Sequence, residues 1–262
     1  MINIQNKLAV ITGAGGYIGS AIADALAKAG CMIIAIDSSK SNLSKLKIKI
    51  TKKYNTNIKT ICVDLSNEKN IKKVKLEILK DFNKIDILIN SIGMVGNPKI
   101  KGWNVPFEKQ LMHPWKKAMD INLTSIFFII QALKTLLEKG STASIINISS
   151  IYGTFVPDFD IYKNTNLNNP AAYSISKAGL SYMTKWLAAA MAPKIRVNTI
   201  SPGGIYRNHN KNFERKYSNK TLLGRMGKEE DIIGPILFLA SDMSSYVTGQ
   251  NIFVDGGWSI KK

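Results

Sequence analysis

Continuous apolar runs alternate with amphipathic stretches along the whole chain. The runs are Leu8–Thr12, Cys31–Asp37, Ile58–Asp64, Asp86–Asn90, Ser144–Ser149, Ile195–Ile200 and Asn251–Asp255. They lack the in–out polar alternation of a half-exposed strand, so they predict strands covered on both faces. Between them, apolar residues at helical spacing mark Ile18–Ala29, a lysine-rich stretch from about Ser41, Asn67–Phe82, a long segment from about Pro114 to Lys139, and Ala171–Ala192. Another helix follows Ile195–Ile200, and His113, just before Pro114-Trp115, predicts a helix start rather than a ligand. Strands alternating with helices predict the α/β class: a doubly wound, seven-stranded parallel sheet with helices on both faces. No linker, repeat or low-complexity segment divides residues 1–262, which predicts a single domain.

In such sheets ligands bind at the carboxyl ends of the strands, near the switch in strand order. The first predicted strand runs into Thr12-Gly-Ala-Gly-Gly-Tyr-Ile-Gly19. Gly13, Gly15, Gly16 and Gly19 allow a tight turn that approaches a pyrophosphate, with Tyr17 and Ile18 opening the next helix under its charge. The second strand ends at Asp37, whose carboxylate can accept ribose hydroxyls and would repel a 2′-phosphate, favouring NAD over NADP. Asp64-Leu65 ends the third strand, where an adenine edge would lie, and Asn90 and Gly93 end the fourth.

Tyr173-Ser-Ile-Ser-Lys177 lies inside the helical Ala171–Ala192 stretch. Four residues is just over one turn, so phenol and ammonium share a face. A nearby ammonium favours the phenolate and lowers a pKa that is ordinarily near 10. Of the nine tyrosines only Tyr173 has a lysine four residues later. That makes the pair a candidate proton-transfer unit.

Hydrophobic content of 45% and charged content of 21% are those of a soluble globular protein. A net charge of +18 would suit an anionic partner. The basic residues are scattered, however, and accompany no helix-turn-helix, zinc-finger or RNA-binding signature, so nucleic acid is not an expected partner. No signal-peptide pattern opens the chain, and the most apolar run, Ile126–Leu137, is interrupted by Gln131 and Lys134 and too short to cross a bilayer. Cys31 and Cys62 show no redox or ligand spacing and are expected to be reduced and buried, as in a cytoplasmic protein. No His/Cys/Asp cluster has metal-ligand spacing, so no metal is expected.

Taken in order, the glycine-rich turn, Asp64-Leu65, Asn90-x-x-Gly93, Asn122, Ser150, Tyr173/Lys177, Pro202-Gly203 and Thr248-Gly-Gln…Val254-Asp-Gly-Gly257 resemble the short-chain dehydrogenase/reductase family. The resemblance covers nearly the whole chain. It implies a Rossmann-like fold and a tetrad. Tyr173 would be the general acid/base, and Lys177 would hold the nicotinamide ribose and lower the phenol's pKa. Ser150, rather than its neighbour Ser149, would hold the substrate oxygen, because Ser150-x-x-Gly153 fits the family pattern. Asn122 would hold a water, and Pro202, Gly203 and Ile205 would lie over the nicotinamide. Members of the family commonly assemble as tetramers or dimers.

Three departures from the family pattern stand out. Tyr17 occupies the middle glycine position of the turn. Ser150 and Tyr173 are separated by more residues than usual, and the extra segment, about 154–169, carries Asp158, Asp160, Tyr162, Asn164, Thr165, Asn166, Asn168 and Asn169. Such an insertion could hydrogen-bond a polyhydroxylated substrate. Pro202-Gly-Gly-Ile-Tyr-Arg207 has arginine where the family has a threonine, at the start of a substrate loop of about 204–224 that also carries His209, Lys211, Arg215 and Lys216.

The expected function is an NAD(H)-dependent oxidoreductase acting on a polar, sugar-derived or anionic small molecule, since the chain looks like members linked to surface-sugar or flagellin-glycan synthesis. A 3-oxoacyl-carrier-protein reductase is the alternative within the family; the insertion and Asp37 weigh against it. The alternative from another class is a non-catalytic dinucleotide-sensing or nucleic-acid-binding protein, against which the intact tetrad weighs.

Overall fold

A computed structural model of the chain describes residues 3–95, 100–140, 142–165 and 167–261. Seven strands are present: β1 (Leu8–Thr12), β2 (Met32–Asp37), β3 (Ile58–Cys62), β4 (Ile87–Asn90), β5 (Ala143–Ile148), β6 (Ile195–Pro202) and β7 (Asn251–Val254). All neighbours pair parallel in the order β3-β2-β1-β4-β5-β6-β7, so the doubly wound α/β sheet expected from the apolar runs is present. Strand order reverses between β1 and β4, which places the glycine turn and the Asn90–Gly93 stretch on either side of the switch.

The helices are α1 (Tyr17–Lys28), α2 (Lys40–Tyr54), α3 (Glu68–Leu79), α4 (Met112–Met119), α5 (Ser125–Leu137), α6 (Ala171–Met191), α7 (Lys211–Ser218) and α8 (Ile233–Ala240). Successive strand residues point to opposite faces. Val10 and Leu88 therefore pack with Ile71 of α3, Ile129 of α5 and Leu180 of α6, whereas Ile11 and Ile89 pack with Ile22 of α1, Leu46 of α2 and Ile236 of α8. Burial on both faces explains why the strands read as unbroken apolar runs. Ser39 and Asn67 cap α2 and α3 by accepting the backbone N–H groups of Asn42 and Lys69.

Two expectations need correction. The long helix starts at Met112, with His113 and Pro114 in its first turn, and is interrupted by a π turn at Asp120–Thr124 that joins α4 to α5. Joined, Met112–Leu137 is long and apolar enough to cross a membrane. Its Ile126, Ile129, Ile130, Leu133, Leu136 and Leu137 are nevertheless already buried against the sheet. Cys31 is buried, and burial pushes its thiol up to about 12, but Cys62 is exposed because it ends β3, the edge strand.

Candidate active site

The glycine turn is shaped by what a side chain would hit. Gly13 has φ +66°, and a Cβ there would lie 2.7 Å from the Ile92 nitrogen; a Cβ at Gly19 would overlap the Gly13 carbonyl. Gly15 donates its N–H to Asp37 Oδ2 at 2.9 Å, and Ser39 donates to Asp37 Oδ1 at 2.8 Å, so the carboxylate locks the turn to the end of β2. Gly16 precedes α1 without a side-chain cap, which leaves the first-turn N–H groups around Tyr17 and Ile18 facing the cleft. A cradle that a Cβ would fill, at an uncapped helix start, fits a diphosphate.

The other strand ends divide into rim and floor. Asp64 is exposed and accepts from both the N–H and the hydroxyl of Ser66, at 2.9 and 2.8 Å. Leu65 is not available to a ligand as a side chain, because it is buried in the core beneath α3. The same correction applies to Asn90. Its amide is fully buried, donating to Asn147 Oδ1 at 2.9 Å and accepting from Thr12 at 3.4 Å, so it ties β4 to its neighbours under the cleft. At the end of β6, Gly203 donates to the Val254 carbonyl at 2.9 Å and a Cβ there would lie 2.9 Å from the Asp255 Cα, while Ile205 bridges to Gly227.

The four tetrad candidates converge from three elements. Lys177 on α6 is only 4% exposed and donates to the Ile148 carbonyl at 2.9 Å. Gly93 is the floor beside it, since a Cβ there would lie 3.4 Å from Lys177 Nζ and 3.8 Å from Asn122 Oδ1. Burial lowers the Lys177 ammonium to about 8. Tyr173, one turn earlier, is half-buried; burial raises its phenol, and a hydrogen bond with Ser150 partly offsets the rise. Lys177 is not among the groups that move the Tyr173 phenol here, and it spends one of its three donors on the Ile148 carbonyl.

Ser149 and Ser150 have different employment. Ser149 Oγ donates to the Lys177 carbonyl at 2.9 Å and shares a hydrogen bond with Ser181 at 3.0 Å, fixing the end of β5 to α6. Ser150 meets Tyr173 and accepts only the Tyr152 N–H, at 3.2 Å, among its backbone neighbours. Asn122 lies in the π turn. Its Oδ1 accepts the Met94 N–H at 2.6 Å and its Nδ2 donates to Ser176 Oγ at 3.0 Å, so the side-chain amide is spent on protein partners. Ser176 was not singled out in the sequence; lying three residues after Tyr173 on the same helix, it could have been.

The insertion folds onto the substrate loop. Phe159–Tyr162 forms a 3-10 turn, and Ile161 is buried with Phe213 and Tyr217 of α7 and with Met226. Its polar residues mostly serve this packing. Asp158 pairs with Lys220 at 2.8 Å, which holds its carboxyl below the usual range, Lys216 donates to the Lys163 carbonyl at 2.7 Å, and Asn104 accepts the Asn168 N–H at 2.7 Å. Asn166 lies outside the described residues. The insertion adds Tyr162 to an aromatic wall: Tyr162 donates to Tyr152 at 3.1 Å, Tyr152 meets Trp258 edge-on at 5.7 Å, and Trp258 stacks on Tyr217 at 6.4 Å. Burial pushes all three of these phenols up, so they stay protonated and can donate.

Comparison with known proteins gives this geometry a setting. The family model described as enoyl-(acyl carrier protein) reductase matches residues 13–259. The chain is 31% identical to post-translational flagellin modification protein A of Campylobacter coli over 98% of its own length and 100% of that protein's. It is 33% identical to 3-oxoacyl-(acyl-carrier-protein) reductase FabG of Thermotoga maritima over 98% of this chain and 99% of that one. A crystal structure of a short-chain dehydrogenase from Leptospira borgpetersenii with bound NAD+ superposes with a TM-score of 0.86 at 36% identity, covering 98% of this chain and 94% of that one.

Proposed function

This chain belongs to the short-chain dehydrogenase/reductase family and is an oxidoreductase, and from that premise we propose that it interconverts an alcohol and a carbonyl on a polar substrate with NAD(H), using Tyr173 as general acid/base. The observation that carries the reading is the convergence of Tyr173, Lys177, Ser150 and the Asn122–Met94 tie at the ends of β4 and β5.

Bound NAD(H) supplies or accepts the hydride. Gly13, Gly15, Gly16, Ile18 and Gly19 hold its diphosphate against the start of α1. Asp37, with lone pairs left after its two backbone N–H groups, takes the adenosine ribose hydroxyls and disfavours a 2′-phosphate. Asp64 borders the adenine, and Pro202, Gly203 and Ile205 border the nicotinamide. In reduction Tyr173 gives its phenolic proton to the substrate oxygen, and in oxidation it takes that proton back. Ser150 holds the same oxygen. Lys177, protonated below about pH 8, binds ribose hydroxyls and stabilises the phenolate by its charge. Asn122 positions the β4 loop against α6.

Tyr173→Phe tests the reading: it should leave NADH binding nearly intact and cut turnover by at least about a hundredfold. Turnover surviving that change would sink it. For the substrate, the phenols of Tyr152 and Tyr162 and the likeness to a flagellin modification protein support a sugar-derived, polyhydroxylated molecule. The likeness to a 3-oxoacyl-(acyl-carrier-protein) reductase supports the alternative. A screen of sugars, sugar phosphates and acyl thioesters followed by NADH absorbance separates the two, and faster turnover with NADPH and a thioester selects the second. The same reading takes the enzyme to be cytoplasmic and a homotetramer or homodimer, supported by the exposed Phe128 of α5 and Tyr182 and Trp186 of α6; light scattering in solution tests the assembly.

A further inference from the structure

Tyr17 and Arg207 depart from the family pattern in two separate motifs, and the fold brings the two departures into contact. Tyr17 opens α1 at the mouth of the glycine turn and is 72% exposed. Arg207, in the loop after β6, lays its guanidinium over the Tyr17 ring, 4.5 Å from the centroid. Its Nη1 also lies 2.6 Å from Glu229 Oε1 and donates to the Tyr206 carbonyl at 2.8 Å, while its N–H is accepted by His209 Nδ1 at 3.2 Å. Both side-chain polar contacts run through Nη1. Among the described residues, Nε and Nη2 have no partner.

The uncapped start of α1 and the open edge of this guanidinium border the same opening. A guanidinium presents a planar fork that suits a phosphate, and an aromatic face below it fixes its orientation without consuming a donor. Elsewhere in the loop, Lys216 and Lys220 are turned away to the insertion. Arg207 is the loop cation that lies over the ring at the glycine turn.

We propose that Tyr17 and Arg207 form a clasp across the mouth of the glycine turn. In it, Arg207 binds the cofactor diphosphate through Nε and Nη2 while Tyr17 and Glu229 hold the guanidinium in place. This rests on the dinucleotide reading of the cleft and adds a residue and a tether to it: the loop after β6 is tied to the glycine turn and to the diphosphate held there.

Titration of NADH and of ADP-ribose, read by tryptophan fluorescence and calorimetry with melting curves of each ligand-free variant, tests the clasp. Arg207→Leu should weaken both ligands roughly ten- to hundredfold, the loss of a hydrogen bond to a charged group. Tyr17→Leu should weaken them about two- to fivefold, as expected for an exposed cation–π contact, and Tyr17→Phe should match the wild type. With Arg207 already leucine, Tyr17→Leu should add nothing. Glu229→Gln should weaken both ligands far less than Arg207→Leu, because it loosens the hold on Nη1 and leaves Nε and Nη2 to the ligand. If Arg207 and Glu229 are instead only a structural pair, Arg207→Leu and Glu229→Gln will lower the melting temperature alike and move affinity alike, which overturns the proposal. Arg207→Leu affinity within twofold of wild type also overturns it. Should that variant not fold, Arg207→Lys serves, with an intermediate loss expected and an unchanged affinity counting against. Wild-type protein that binds neither ligand would remove the dinucleotide reading itself, a separate failure.

Discussion

Asn122 closes its amide on the backbone of Met94, with Oδ1 accepting the N–H at 2.6 Å and Nδ2 near the carbonyl at 3.4 Å. The same Nδ2 donates to Ser176 at 3.0 Å, so one side chain in a π turn joins the end of β4 to the helix that carries Tyr173 and Lys177. Asn122→Ala leaves buried partners unmet and should destabilise the protein by about 2 kcal/mol while lowering kcat. Ser176→Ala, which removes only one of the contacts, should cost about half as much and spare more of kcat. Urea unfolding and steady-state kinetics on both variants check the ranking.

The two adjacent serines should separate cleanly. Ser149 spends its hydroxyl on the Lys177 carbonyl and Ser181, whereas Ser150 faces Tyr173. Ser150→Ala should lower kcat by about tenfold or more with little change in melting temperature, the loss of one hydrogen bond to the reacting oxygen. Ser149→Ala should instead lower stability by about 1 kcal/mol and leave kcat nearly intact. The reverse pattern would exchange their roles.

Lys177 should carry a measurable stability cost. Its folded pKa of about 8 lies below the ordinary lysine value of 10.5, so between those values the unfolded chain binds more protons. Stability contributed by this group therefore rises with pH across that window, and the cost is full below pH 8. Lys177→Met should raise the melting temperature of the ligand-free protein at pH 7, by on the order of a few kcal/mol of stability, and the gain should shrink by pH 9.5. Turnover should be lost. Melting curves of both proteins at the two pH values test this, and the tyrosine contributions cancel in the difference.

Asp37 has a double duty. It locks Gly15 and Ser39 with its two oxygens and supplies the charge that opposes a 2′-phosphate. Asp37→Asn keeps one acceptor oxygen and removes the charge. The NADH-to-NADPH ratio of kcat/KM should fall by about tenfold, in line with removal of a like charge near a phosphate. Asp37→Ala should in addition lower the melting temperature, because the glycine turn loses both ties.

The sequence by itself determined the sheet, the helices and the placing of Tyr173 and Lys177 one turn apart on one of them. Those depend on local periodicity and on spacing within one helix or turn: β1 to β7 are apolar because both faces are covered, and Tyr173 and Lys177 share a face because a turn is under four residues. Tertiary structure decided whatever depends on who packs against whom. Adjacent serines acquired opposite uses because β5 ends against α6, and Asn90 and Leu65 proved to be floor rather than rim because of which side of the sheet end they face. The π turn widens the helix within a single turn, too briefly to disturb an apolar period, so only the family resemblance, and not the periodicity, pointed to Asn122. Tyr17 and Arg207 look in the sequence like two unrelated deviations. They meet only because β1 and β6 deliver their following loops to the same end of one sheet, where the guanidinium finds the ring at 4.5 Å.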